Sequence, residues 1–172
     1  MRSSSLVGAL LMALLFDARL AWADGSGDPA AVKDEDGKYT DAEGNPTYKV
    51  EKDGTVDWYT YSGFRRYHSD CHTCHGPDAE GSSYAPALKN SAKTMSYADF
   101  ANIAVNGRKN VTTAQENVMP AFGTDPNVMC YLDDIFAYVR ARANEAVPRG
   151  RPPKHADKPK TAIESEKSCM GH

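Results

Sequence analysis

Apolar residues recur most regularly along the chain at Val128, Leu132, Ile135, Phe136 and Val139, with the spacing of a helix that buries one face. Thr124-Asp125-Pro126 precedes them, a capping residue followed by a proline suited to a first helical turn. A second helix is predicted over residues 96–106. There Ser96 is followed three residues later by Asp99, Phe100 and Ile103 are apolar, and Gly107 supplies a stop. A third is predicted from about Trp58 to Asp70. Between residues 38 and 57 the pattern shortens to alternation. Lys38-Tyr39-Thr40, Tyr48-Lys49-Val50-Glu51 and Thr55-Val56-Asp57-Trp58 are separated by Glu43-Gly44-Asn45-Pro46 and Asp53-Gly54, which predicts a small β-meander. Residues 24–37 are small, acidic and aperiodic, which predicts disorder. Beyond Val147 the prolines Pro148, Pro152, Pro153 and Pro159 predict an irregular tail.

The N-terminus changes this picture. Met1-Arg2, an apolar run from Leu6 to Phe16, and small residues at Ala21 and Ala23 have the form of a secretory signal, with the mature chain expected to begin near Asp24. The run is too short to cross a bilayer, which takes roughly 20 residues, so no membrane span is expected in the mature chain. The expected organisation is a signal over 1–23, an acidic arm and meander over 24–57, a packed domain over 58–147 and a basic, proline-rich tail over 148–172. Formal net charge is −3. Ten acids stand against four lysines in residues 24–57, whereas the tail is basic. Neither stretch is a basic stripe interleaved with aromatics, which argues against nucleic acid as a partner.

Cys71-His72-Thr73-Cys74-His75 carries the chemistry. Positions i, i+3 and i+4 of a helical turn face one way, so two thiols can add to the vinyl groups of one haem while the adjacent imidazole of His75 reaches its iron. A thioredoxin-like dithiol would need a βαβ surround, and a zinc site would need a second paired cluster; neither is present in the sequence. For the sixth iron position the candidate is Met119, 44 residues after His75 and stiffened by Pro120. Met95 and Met129 are its rivals. His68, His72, His155 and His172 are assigned no metal, and Trp58, Tyr59 and Tyr61 are read as packing.

Residues 58–143 resemble a class I cytochrome c. The resemblance rests on Gly63 and Tyr67 ahead of the haem motif, Ile135 and Tyr138 on the last helix, Pro86 in Tyr84-Ala85-Pro86-Ala87-Leu88, and Asn106-Gly107-Arg108 ahead of Met119-Pro120. It implies a mainly α fold, short helices around one covalent haem c, here with the N-terminal β-meander and irregular tail added. It also implies that the Pro86 carbonyl accepts from the His75 ring, and makes Arg108 a candidate neighbour of a haem propionate. Ser82 to Leu88 and Val118 to Tyr131 further resemble the four-cysteine cytochromes of methanol metabolism, related to the cytochrome c-L group. That narrower resemblance implies a PQQ-dependent methanol dehydrogenase, a group that includes the lanthanide type, as electron donor.

Cys130 lies about 200° around the helix from Val128, away from the apolar stripe. It is placed to hold a tail crossing the outer surface through Cys169, with free thiols or an intermolecular bond as alternatives. The expectation is therefore a periplasmic, monomeric, one-electron carrier and not an enzyme, handing electrons to a downstream cytochrome c or oxidase. A generic carrier unconnected to methanol, a haem peroxidase and a haem sensor are the other readings.

Overall fold

The computed structural model describes residues 27–111 and 116–171. The signal expected over residues 1–23 lies outside them. Short helices dominate: α1 (Trp58–Arg66), α2 (His72–His75), α3 (Leu88–Ser91), α4 (Tyr97–Asn106), α5 (Pro126–Met129), α6 (Leu132–Ala143) and α7 (Lys160–Met170). A three-stranded antiparallel sheet, β1 (Lys33–Glu35), β2 (Lys38–Thr40) and β3 (Pro46–Thr47), precedes them. A two-stranded ribbon, β4 (Arg108–Val111) and β5 (Glu116–Met119), interrupts them.

The core is the crossing of α1 and α6. Asp57 starts α1 by accepting from the Thr60 N–H at 2.7 Å, and Arg65 and Arg66 close it where the helix dipole favours cations. On α6, Ile135, Phe136, Tyr138 and Val139 are each at most 1% exposed. Burial at this level contributes about 1.5–3 kcal/mol per large apolar side chain. The helices approach so closely because residue 63 is glycine: a Cβ there would meet the Asp134 carbonyl oxygen at 1.8 Å.

Capping chemistry sets the other boundaries. Ser96 accepts from the Asp99 N–H at the start of α4, and Gly107, at φ 73°, ends it. Asp125 caps α5 by accepting from the Asn127 N–H, with Pro126 in the first turn. The single helix expected from residue 126 onward is broken at Cys130 and Tyr131 into α5 and α6.

Three expectations are corrected. The acidic arm is ordered in its described part: Asp36 and Gly37, both at positive φ, form a tight turn that pairs Lys33–Glu35 with Lys38–Thr40. The strands expected at residues 48–51 and 55–58 reduce to a single bridge between Val50 and Val56, because the sheet's third strand is instead Pro46–Thr47 and Trp58 begins α1. The tail is not irregular throughout. Its prolines end at Pro159, which precedes the first residue of α7, and Lys160–Met170 is proline-free and helical.

Buried polar contacts hold arm and tail to the core. The Arg140 guanidinium donates to Asp41 at 2.7 Å and to the Pro46 carbonyl at 3.2 Å, with both ionised side chains fully enclosed. Residues 154–156 run beside Val56, which donates to Lys154 O at 3.2 Å and accepts from the Ala156 N–H at 2.8 Å. The His155 ring stacks on Tyr61 at 3.8 Å. Cys130 is bonded to Cys169, tying the end of α5 to α7.

Candidate metal centre

Residues from five parts of the chain converge on one cleft of about 580 Å³. Its apolar wall comes from Leu88, Met95, Phe100, Ile103, Phe122, Val128, Leu132 and Ile135, and its polar groups are Asp70, Ser91, Arg108, Asn110 and Asn117. Cys71, Cys74, His75, Pro86 and Met119 also line it, so the haem-motif residues, the loop proline, Arg108 and the candidate methionine are all brought together. Cys130 and Cys169 lie apart from it, in the disulfide.

The motif is presented by an irregular helix. After α1, residues Tyr67–Cys71 form a π-helical turn in which the His72 N–H reaches back to Tyr67 O, and α2 follows directly. Such turns insert one extra residue into a helix and recur at functional sites. Tyr67 is fully buried, packs on Tyr138 at a centroid distance of 5.5 Å, and donates its hydroxyl to Gly76 O at 2.6 Å. The chain turns sharply after His75 because Gly76 adopts φ 73°, where a Cβ would lie 2.1 Å from Gly81 O. His68, assigned no metal from the sequence, is half-buried: it packs on Phe64 at 4.3 Å and contacts Asp78. It does not line the cleft.

His75 is set up as a ligand. Its Nδ1 lies 2.9 Å from the Pro86 carbonyl oxygen, which can only accept, so Nδ1 carries the proton and Nε2 presents a lone pair. Nε2 is buried and has no hydrogen-bond partner. An orphaned imidazole nitrogen in a cleft between two free thiols is what a haem iron would satisfy, and the residues present fit a covalent haem. Burial pushes the Cys71 thiol up to about 12, the opposite of the lowered value that an attacking redox thiolate needs. Among the described residues no cluster of His, Cys, Asp and Glu could hold a bare metal ion.

Met119 reaches the cleft from the ribbon. Its register partner is Arg108, and Asn110 pairs with Asn117 two rungs further out. Successive residues of a strand face opposite ways, so Arg108, Asn110, Asn117 and Met119 share the face toward the cleft, whereas Val111 is 63% exposed. The following segment is pinned to the end of α4, because Phe122 and Gly123 donate to Ala104 O and Val105 O. Gly107 makes this possible: a Cβ there would meet Met119 O at 2.6 Å. Met95 also lines the cleft, whereas Met129 packs into the core. The ribbon, Asn110, Asn117 and Asp70 were not read from the sequence as site features. The alternation of residues 108 and 110 with 117 and 119 is the signal that would have found the first three.

Residues 60–139 match the sequence family described as Cytochrome C oxidase, cbb3-type, subunit III. The chain is 55% identical over 136 residues to cytochrome c-553I of Paracoccus denitrificans, covering 79% of this chain and 60% of that protein's length. It is 38% identical over 96 residues to cytochrome c-555 of Methylococcus capsulatus, covering 55% of this chain and 72% of the relative. The crystal structure of the c-type cytochrome XoxG from Methylobacterium extorquens AM1 superposes with a TM-score of 0.75 at 53% identity, covering 81% of this chain and 85% of that one.

Proposed function

The chain belongs to the c-type cytochromes, and on that premise we propose that it accepts single electrons from a PQQ-dependent methanol dehydrogenase in the periplasm and passes them to a downstream cytochrome or oxidase. A haem c would supply the one-electron Fe(III)/Fe(II) chemistry. The protein's own residues supply everything else. Cys71 and Cys74 would anchor the haem, and His75 and Met119 would ligate its iron, all within the unit of residues 58–147. The Pro86 carbonyl fixes the imidazole's tautomer and orientation, which sets its strength as a donor. The apolar wall keeps water from the metal and so favours the less charged ferrous state. Arg108, on the cleft wall, is the candidate partner for a propionate.

The observation that carries the assignment is the buried, partnerless Nε2 of His75 beside the two free thiols. Resemblance supports the donor: residues 82–88 and 118–131 carry it, and the relatives named above are consistent with it. No helix among the described residues is long and apolar enough to cross a membrane.

Stopped-flow reduction of the oxidised holoprotein by methanol dehydrogenase, set against other periplasmic dehydrogenases, tests the proposal. A rate at least tenfold higher with methanol dehydrogenase is expected. Equal rates would sink the donor and leave a carrier without preference; rapid carbon monoxide binding by the native reduced protein would point to a haem enzyme instead.

A further inference from the structure

Two polar atoms on the wall of the cleft are enclosed without a hydrogen-bond partner: Nε2 of His75 and Oδ2 of Asp70. Iron accounts for the first. The electron-carrier function as described leaves the second unused, although an enclosed carboxyl oxygen is costly to leave without a partner.

Asp70 directly precedes Cys71, a thiol of the haem motif, and lines the same cleft, the one that would hold the porphyrin. The groups around it come from three elements. Arg66 approaches from the end of α1, its guanidinium held 3.6 Å over the Tyr131 ring. Asp125 approaches from the cap of α5, and Ser69 and Cys71 flank it in the π-helical turn. Arg108 on β4 is the other charged group on the cleft wall.

We propose that Asp70 is a determinant of the midpoint potential, a redox-linked proton site that holds a proton while the iron is ferrous and releases it when the iron becomes ferric. The balance is simple. Ferric iron with a carboxylate takes one electron from the donor protein and one proton from solvent, giving ferrous iron with a carboxylic acid; oxidation reverses both. The coupling is Coulombic, since a carboxylate in a cleft of low dielectric stabilises the extra positive charge of the ferric state. It is also reciprocal: what the proton does to the electron affinity, the electron does to the proton affinity. Burial, and secondarily Asp125, raises the proton affinity of this carboxyl, with Arg66 and a hydrogen bond from Ser69 opposing them. The proposal rests on the haem assignment at His75.

The test is a potentiometric titration of the holoprotein across acidic to mildly alkaline pH, for the wild type, Asp70→Asn and Asp70→Glu. The wild-type potential should fall as pH rises, between two plateaus. Asp70→Asn, neutral and of the same shape, should hold the acid plateau at every pH, and Asp70→Glu should restore a slope. Infrared difference spectra should gain a protonated-carboxyl band on reduction, lost in Asp70→Asn. A pH-independent wild-type potential would overturn the proposal. So would an unchanged slope in Asp70→Asn, which would point to a different group, such as a propionate beside Arg108. Absorbance of the same samples separates the two levels: absence of covalent haem removes the whole site, whereas haem with a flat potential overturns Asp70 alone.

Discussion

Gly63 on α1 rests against the backbone of Asp134 on α6, where an added Cβ would sit 1.8 Å from the carbonyl carbon's oxygen and 2.9 Å from the Tyr138 Cβ. Backbone atoms cannot step aside as a flexible side chain can. Gly63→Ala should therefore separate the helices and cost about 3 kcal/mol or more, as severe overpacking does. Denaturant unfolding checks this, and a loss under about 1 kcal/mol would contradict the close crossing.

The distal ligand can be identified by substitution, because two methionines line the cleft. Met119→Ala is expected to abolish the sulfur–iron absorption of the ferric protein and to open the reduced protein to carbon monoxide. Met95→Ala and Met129→Ala should leave both properties as they were. The opposite pattern for Met95 would move the ligand from β5 to the loop before α4.

Asp134 should make stability depend on pH. Burial raises its carboxyl from the ordinary 3.8 to about 7, with a Ser62 hydrogen bond partly opposing. The native state then holds a proton that the unfolded chain has released, so stability falls as pH rises from about 4 to about 7 and levels off above. Asp134→Asn should remove that slope and be the more stable protein at pH 8, by an amount on the order of a few kcal/mol. Thermal melts of both proteins across this range decide it; parallel curves would exclude Asp134 as the cause.

The bond between Cys130 and Cys169 closes a loop with a sequence separation of 39 residues. Replacing both cysteines by serine should cost about 2–4 kcal/mol and release α7, while the haem spectrum stays unchanged. A spectral change would mean that the tail shapes the cleft as well as clasping the surface.

Arg140→Met should cost about 3–5 kcal/mol, because it strands the buried Asp41 carboxylate without its cation. Combining it with Asp41→Leu should recover most of the loss. Calorimetry of the two single variants and the pair supplies the comparison, and additive losses would argue against the ion pair as the link between arm and core.

Local chemistry was legible in the sequence, and tertiary burial was not. The haem motif and the caps at Ser96 and Asp125 act within one helical turn, so their spacing alone was enough. Gly63 and Tyr67 could be placed only by resemblance, because what they touch on α6 is some 70 residues away. The β4–β5 ribbon carries lysine, asparagine and arginine rather than alternating apolar residues, since its inner face lines the cleft and not a protein core. Helix α7 escaped detection because Ala162 is its one buried residue and a covalent bond holds it. In the arm, charged Lys33–Glu35 hid a strand that the Asp36-Gly37 turn signalled. Asp70 looked like any surface acid, and only the fold encloses its Oδ2.

The π-helical turn between Tyr67 and Cys71 has a consequence for how this chain can vary. An ordinary helix would put residue 71 on the same face as residue 67, since four residues complete about one turn. The added residue uncouples them: the tyrosine stays with the partner helix while Cys71 and Cys74 line the cleft. Removing any one residue of that turn would restore a regular helix and rotate the cysteines by about 100°, a frameshift in three dimensions. Substitutions there can be absorbed, but a single deletion would aim the attachment chemistry at the wrong side of the molecule.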